Sequence, residues 1–215
     1  MNLNELFSIQ AKLDERIVEE HGLQGEDLID KKILALQVEL GELAQNWRGF
    51  KFWSKDQKAR TETQCHACEG KGFFDFSTPF SNEHFTEECG YCEGTGIQEN
   101  RNPLLEEYVD CLHFILSVGL ELGAETWLSR YFERTAINKA ATITNYFLEV
   151  KYVFLHMGME INLMEAEPQE VRDIYANGVD HFLGLGKKLG FTWEQIEQAY
   201  LDKNKINHER QTEGY

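Results

Sequence analysis

Proline is scarce in this chain, three residues in 215, so little forces a helix to break. Basic residues are outnumbered, with 21 Lys and Arg against 37 Asp and Glu, and the formal net charge of −16 excludes a broad basic face for gripping nucleic acid. Any anion it handles must meet a cation locally. No apolar run approaches the roughly 20 residues needed to span a bilayer, and the start "MNLNELFSIQ" lacks a basic segment followed by an apolar signal core. A soluble, cytoplasmic protein that binds neither membrane nor nucleic acid is expected. An even set of cysteines is also missing: five is an odd count, and four of them fall in two CxxC pairs, which favours metal ligation over a disulfide framework.

What the chain does have is enough apolar content, 42% hydrophobic and 12% aromatic, to bury one sizeable core. Apolar residues recur at helical spacing, which predicts helices over about 3–20, 26–48, 103–123, 126–157, 168–189 and 192–208. The start at 103 is marked by Asn102 as a cap, Pro103 at the first helical position and acids near the positive end of the dipole. Strand alternation is absent outside residues 61–100, a segment rich in Gly, Cys and Phe that reads as an insertion between two helices. The expected fold is an all-α helical bundle, formed by 1–60 and 101–215, with a small zinc-binding element at 61–100.

Two carboxylate pairs stand out. In the second helix Ile33, Leu36, Leu40, Leu43 and Trp47 form an apolar stripe, and Glu39 and Glu42 lie roughly 80° and 140° to one side of its centre. In the third, Leu104, Tyr108, Cys111 and Ile115 form the stripe, and Glu107 and Asp110 fall roughly 70° and 130° to the same side. If the stripes face each other in an antiparallel pair, the four acids converge on one side of it. Gathered acids repel unless a cation neutralises them, and hard oxygen ligands suit Mg²⁺ or Mn²⁺. Solvated helix flanks are the alternative for any single pair. Cys111 and Trp47 read as core residues.

The segment "YLDKNKINHERQ" concentrates Lys203, Lys205 and Arg210 in an acidic chain, with Asn204 and Asn207 interleaved. Such cations could hold phosphates and such carboxamides a base edge; a basic helix end favoured by its own dipole is the other reading. Together "VELGELAQNWRGFKFW", "LLEEYVDCLHF" and "YLDKNKINHERQ" resemble the dimeric all-α dUTPases of bacteria and their phages, within the all-α nucleoside triphosphate pyrophosphohydrolases that include MazG-type enzymes.

The resemblance implies a homodimer that hydrolyses dUTP, and dUDP, to dUMP, releasing pyrophosphate from dUTP and limiting uracil incorporation into DNA. It implies two or more Mg²⁺ on Glu39, Glu42, Glu107 and Asp110, phosphate contacts from Lys203 and Arg210, and nucleotide contacts from Asn204 and Asn207. Gln10 and Trp53 match the family's sugar and base contacts, and His113 is either a site residue or an ordinary buried histidine. One of the first acid pair, Glu42 in preference to Glu39, would also orient or deprotonate the attacking water. Water attack at the β phosphorus is implied as well. The rival readings are a related enzyme acting on another nucleotide such as dCTP, and a catalytically idle zinc-dependent interaction module.

Cys65, Cys68, Cys89 and Cys92 fit CxxC, 20 residues, CxxC, the spacing of a closed four-thiolate structural zinc site. Each pair continues as CxxCxGxG, which resembles the zinc repeat of J-protein chaperones, but only two repeats are present and HPD occurs nowhere. His66 and His84 read as surface or packing residues. The eight acids and single lysine of 61–100 disfavour a nucleic-acid finger. The element could brace the long connection, cover the active site, or offer Phe73, Phe74, Phe76, Phe80 and Phe85 to a protein partner; a miniature core around the zinc is expected for those rings.

Overall fold

The computed structural model describes residues 3–77, 84–98, 101–128, 140–163 and 166–214. Among these residues six α-helices carry the architecture: α1 Leu3–His21, α2 Ile29–Trp47, α3 Pro103–Glu121, α4 Ile143–Leu163, α5 Pro168–Leu189 and α6 Trp193–Thr212. Four short strands, β1 Thr63–Gln64, β2 Phe73–Ser77, β3 His84–Glu88 and β4 Ile97–Gln98, all lie in the cysteine-bearing segment. They form two antiparallel pairs, β1 with β4 and β2 with β3. No helix among the described residues is long and apolar enough to cross a membrane.

The start of α3 follows from its sequence: the Asn102 side chain accepts the Leu105 N–H at 3.1 Å and Pro103 occupies the first turn, a cap worth about 1 kcal/mol. A reciprocal capping box between Thr192 and Gln195 begins α6. Two boundaries differ from expectation. Helix α2 starts at Ile29, not near 26, because the Asp27 carboxylate takes the Ile29 N–H at 3.1 Å from outside the helix. The helix expected over 126–157 is not one element: a 3₁₀ turn spans Ala124–Thr126, and α4 begins only at Ile143 and runs on to Leu163. Residues 129–139 of that span lie outside the described residues. The signal for the later start is Thr142, whose hydroxyl accepts the Asn145 N–H while the Asn145 side chain accepts the Thr142 N–H, a capping exchange in which Asn replaces the usual Glu or Gln.

Helix α3 is the hub, packing on α1, α2, α5 and α6. Leu104, Tyr108, Cys111 and Ile115, with Val109, Leu112 and Leu116, are almost wholly buried, as are Ile33, Leu36, Leu40 and Leu43 of α2. Trp47 is half-buried and rests against Phe147 at 5.3 Å between ring centroids. Asn46, late in α2, bonds Glu107, early in α3, whereas Lys32, early in α2, bonds Glu121, at the end of α3. The two helices are therefore antiparallel. Small residues let the aromatic core close: a Cβ on Gly119 would stand 2.2 Å from the Tyr175 hydroxyl, and one on Gly186 would stand 2.5 Å from that of Tyr108. Those hydroxyls donate to the Ile115 and Phe182 carbonyls, so each buried Tyr is both ring packing and a satisfied polar group.

Candidate active site

The antiparallel packing of α2 on α3 brings carboxylate oxygens of Glu39, Glu107 and Asp110 within 4.8 Å of one another. Glu42 is exposed and stands outside this trio, although its charge acts on both Glu39 and Glu107. From α6, the Lys203 ammonium pairs with Asp110 at 2.5 Å. Burial, then repulsion from Asp110, Glu42 and Glu107, raises the Glu39 pKa to about 7 against a modest lowering by Lys203. Burial foremost also raises the pKa values of Glu107 and Asp110. One lysine does not neutralise this cluster, and an all-oxygen donor set of this kind fits a hard divalent cation.

Beside the cluster opens a cavity of about 530 Å³ between α1, α2, α3 and α6. Glu39, Asp110, Lys203, Asn207 and Arg210 line one part of it, Gln10, Asp14, Lys32, His113 and Ser117 another, and Leu13, Ile17, Leu28 and Phe114 supply apolar wall. Gln10 is buried and held from three sides. Its amide donates to Asp14 at 2.7 Å, while its carbonyl faces His113 Nδ1 at 2.7 Å and accepts the Tyr200 hydroxyl at 2.8 Å. The carbonyl can only accept, so Nδ1 carries the proton and Nε2 is left as an acceptor. That Nε2 is buried without a partner. Burial, then Lys203, lowers the His113 pKa to about 3, so the ring is neutral, and it stacks on Tyr200 at 4.1 Å. His113 is thus both a buried histidine and part of the cavity wall, with an acceptor that has no partner.

Other expected site residues are placed differently. Asn204 is buried, does not line the cavity, and has its amide nitrogen unpartnered. Trp53 is 66% exposed on the loop after α2, edge-on to Phe50 and Phe52, and does not line the cavity. Asp14, Ser117, Lys32 and Tyr200 escaped the sequence reading. Ser117 donates to Asp14 at 2.5 Å, and Lys32 bridges Asp14 and Glu121. For two of them helical spacing places the residue beside an expected one, Asp14 one turn after Gln10 and Ser117 one turn after His113; Lys32 and Tyr200 carry no such mark.

In the cysteine element the four thiols of Cys65, Cys68, Cys89 and Cys92 are buried and mutually within 4.8 Å, with Sγ to Sγ distances of 3.9 Å (Cys65 to Cys89) and 3.7 Å (Cys68 to Cys92). Sulfurs about 2.3 Å from a tetrahedral zinc stand about 3.8 Å apart, so the donor set fits. The Gly72 and Gly96 N–H groups donate to Cys68 and Cys92 Sγ at 3.2 and 3.3 Å. Both glycines have positive φ, and a Cβ on either would meet the facing carbonyl of Gly94 or Gly70 at 2.3 or 2.4 Å. The second glycine of each CxxCxGxG is therefore required by close backbone approach as well as by the turn. His66 and His84 are exposed and outside the thiol cluster. The expected miniature core holds only for Phe74; Phe73, Phe76 and Phe85 are 40, 40 and 53% exposed, and Phe80 lies outside the described residues.

A family model described as dUTPase matches residues 2–83 and 94–215, nearly the whole chain. The chain belongs to the dUTPase family. It is accordingly an enzyme, a dUTP diphosphatase, of a family that uses divalent metal. Apart from Met1, the family match lapses over 84–93, which holds β3 and the second CxxC of this dUTPase. Neither a curated protein nor a solved structure gives a match.

The electrostatics of the trio predict a pH signature. A carboxyl whose pKa rises from 4.5 to about 7 on folding stabilises the fold most when protonated, and that contribution fades as pH climbs from 4.5 through 7. Metal-free protein should therefore lose melting temperature over this interval, Glu39→Gln should flatten the loss, and Mg²⁺ should raise Tm more at pH 8 than at pH 5. Thermal melts of both proteins with equal Mg²⁺ increments at the two pH values would contradict this electrostatic picture.

Proposed function

We propose that this enzyme hydrolyses dUTP, and dUDP, to dUMP in a Mg²⁺-dependent reaction at the Glu39, Glu107 and Asp110 cluster, releasing pyrophosphate from dUTP and limiting uracil incorporation into DNA. The observation that carries this reading is the convergence of three partly buried carboxylates, two of which, Glu39 and Asp110, line a nucleoside-sized cavity. When bound there, two or more magnesium ions would neutralise phosphate oxygens and make a water easier to deprotonate. Glu39, Glu107 and Asp110 would hold them, with Glu42 joining by a side-chain rotation. Lys203 and Arg210, on the cavity wall, would take phosphate oxygens. Glu39 faces the cavity and Glu42 does not line it, so Glu39 becomes the better candidate to accept the water's proton.

The nucleoside would occupy the other end. His113 Nε2, a buried acceptor with no partner, suits an N–H or O–H donor of the substrate, and Gln10 fixes the tautomer that leaves it free to accept. Asn207 lines the same cavity, and the orphan amide of Asn204 is a second buried group for which the nucleotide could provide a partner. Trp53 would reach the base only through movement of its loop or from a second subunit. Residues 61–100 form a distinct zinc-binding element with a structural role and no open metal position, while 1–60 and 101–215 form the catalytic unit. Location in the cytoplasm fits the free thiols.

A homodimer is part of this reading. Leu148, Tyr152, Leu155, Met159 and Leu163 form an exposed apolar line along α4, and Leu34 and Val38 are exposed on neighbouring α2. Such a stripe at helical spacing is unusual on a monomer surface. Sedimentation should show a dimer for the native protein and a folded monomer for Leu155→Glu; a native monomer at micromolar concentration would remove the dimer from the account.

Pyrophosphate release from dUTP, dCTP, dTTP, UTP and dATP, with Mg²⁺ and then with EDTA, tests the activity. Strong preference for dUTP, loss on chelation, and ¹⁸O from labelled water in pyrophosphate are expected. Preference for another base would refute the substrate, activity in EDTA would refute the metal, and ¹⁸O in dUMP would refute attack at the β phosphorus. Glu39→Gln should lower kcat at least 100-fold.

A further inference from the structure

The connection between α2 and α3, the two helices that carry the acidic cluster, is closed by backbone hydrogen bonds. The Arg60 N–H donates to the Asn46 carbonyl at 2.8 Å, and the Arg60 carbonyl accepts the Leu104 N–H at 2.9 Å. One residue thereby ties the last turn of α2 to the first turn of α3. Immediately beyond it, β1 pairs with β4, and the Cys65 N–H donates to the Gly96 carbonyl at 2.8 Å, so the two ends of the cysteine element are held together just outside this tie. The Asn46 side chain then reaches across the helix pair and donates from Nδ2 to Glu107 Oε1 at 3.2 Å.

From this chain of contacts we propose that Asn46 is a positioning residue for the carboxylate cluster, and that it transmits the closure of the cysteine element to Glu107. The inference rests on the proposed cation site. Glu107 is half-buried among like charges, and without an anchor its carboxylate would turn away from Glu39 and Asp110. Asn46 supplies two donors and no charge. It can hold one oxygen of Glu107 without competing for a cation as a lysine would, and leaves the other oxygen free for ligation. Hydrogen-bond partners of this kind orient carboxylate ligands, and their loss costs about 10- to 100-fold in metal affinity. The Asn46 carbonyl is in turn bound by the Arg60 N–H, and Arg60 stands just before β1, whose pairing with β4 brings the two ends of the cysteine element together.

The test is a Mn²⁺ titration followed by electron paramagnetic resonance, without nucleotide, on native protein, Asn46→Leu and Glu107→Gln. Each is measured with zinc loaded and after zinc is withdrawn by a chelator that is dialysed away before manganese is added, and the stripped proteins are checked by circular dichroism for an intact helical fold. Asn46→Leu removes the donors while keeping the branched side-chain shape and should weaken Mn²⁺ about 10-fold, with Asn46→Gln recovering part of the loss. Zinc withdrawal should weaken native protein by a similar factor and add little in Asn46→Leu, because the route is already cut. Native affinity in Asn46→Leu, or an equal further loss in both proteins on stripping, would overturn the inference. If Glu107→Gln also bound Mn²⁺ like native protein, the cation site itself would fall; if Glu107→Gln lost binding while Asn46→Leu kept it, only the positioning role would fall.

Discussion

The structure depends on holding like charges close together at the edge of a hydrophobic seam. Packing the Leu36, Leu40 and Leu43 stripe of α2 against the Tyr108, Cys111 and Ile115 stripe of α3 draws Glu39, Glu107 and Asp110 out of bulk water and toward one another. Burial of the apolar stripes favours this, at roughly 1.5–3 kcal/mol for each large side chain fully buried, while the carboxylates oppose it. The Lys203 bridge to Asp110 relieves part of the strain, and the elevated pKa of Glu39 records the remainder. A bundle that accepts such a cost at its centre has a use for an unneutralised anionic site, and divalent-metal chemistry is the use that the dUTPase family supplies.

Much of this was legible in the residues. Helical periodicity fixed both apolar stripes, and the shared angular offset of the two acid pairs led to their convergence once antiparallel packing was assumed. The capping signal at Asn102 located the start of α3. Convergence was incomplete because an angle on a helical wheel says nothing of side-chain rotation: Glu42, furthest from the seam, turns to solvent while its neighbour one turn back is drawn in. Asp14, Ser117 and Tyr200 were missed because each is ordinary in its own helix. They acquire meaning only when α1, α3 and α6 meet around Gln10 and His113. The start of α4 was misread because the Thr142 and Asn145 exchange uses an Asn where a capping box normally carries Glu or Gln.

The cysteine element shows the reverse balance. Its spacing announced a four-thiolate cluster, and the glycines that follow each pair are explained by backbone carbonyls that approach too closely for any Cβ. Its aromatic rings were expected to pack inward, yet the stacked Phe76 and Phe85 face outward, since a two-stranded hairpin has too little second layer to cover them. Its place between α2 and α3 was legible too; what only the structure adds is the tie through Arg60 that joins the end of α2 to the start of α3.

The most direct test of the central claim is to locate a divalent ion by anomalous scattering in crystals grown with manganese and a non-hydrolysable dUTP analogue. The account predicts manganese among Glu39, Glu107 and Asp110, with Lys203 displaced from Asp110 and the nucleoside lying toward His113. Manganese bound elsewhere, with Lys203 still paired to Asp110 and the carboxylate cluster free of metal, would contradict it.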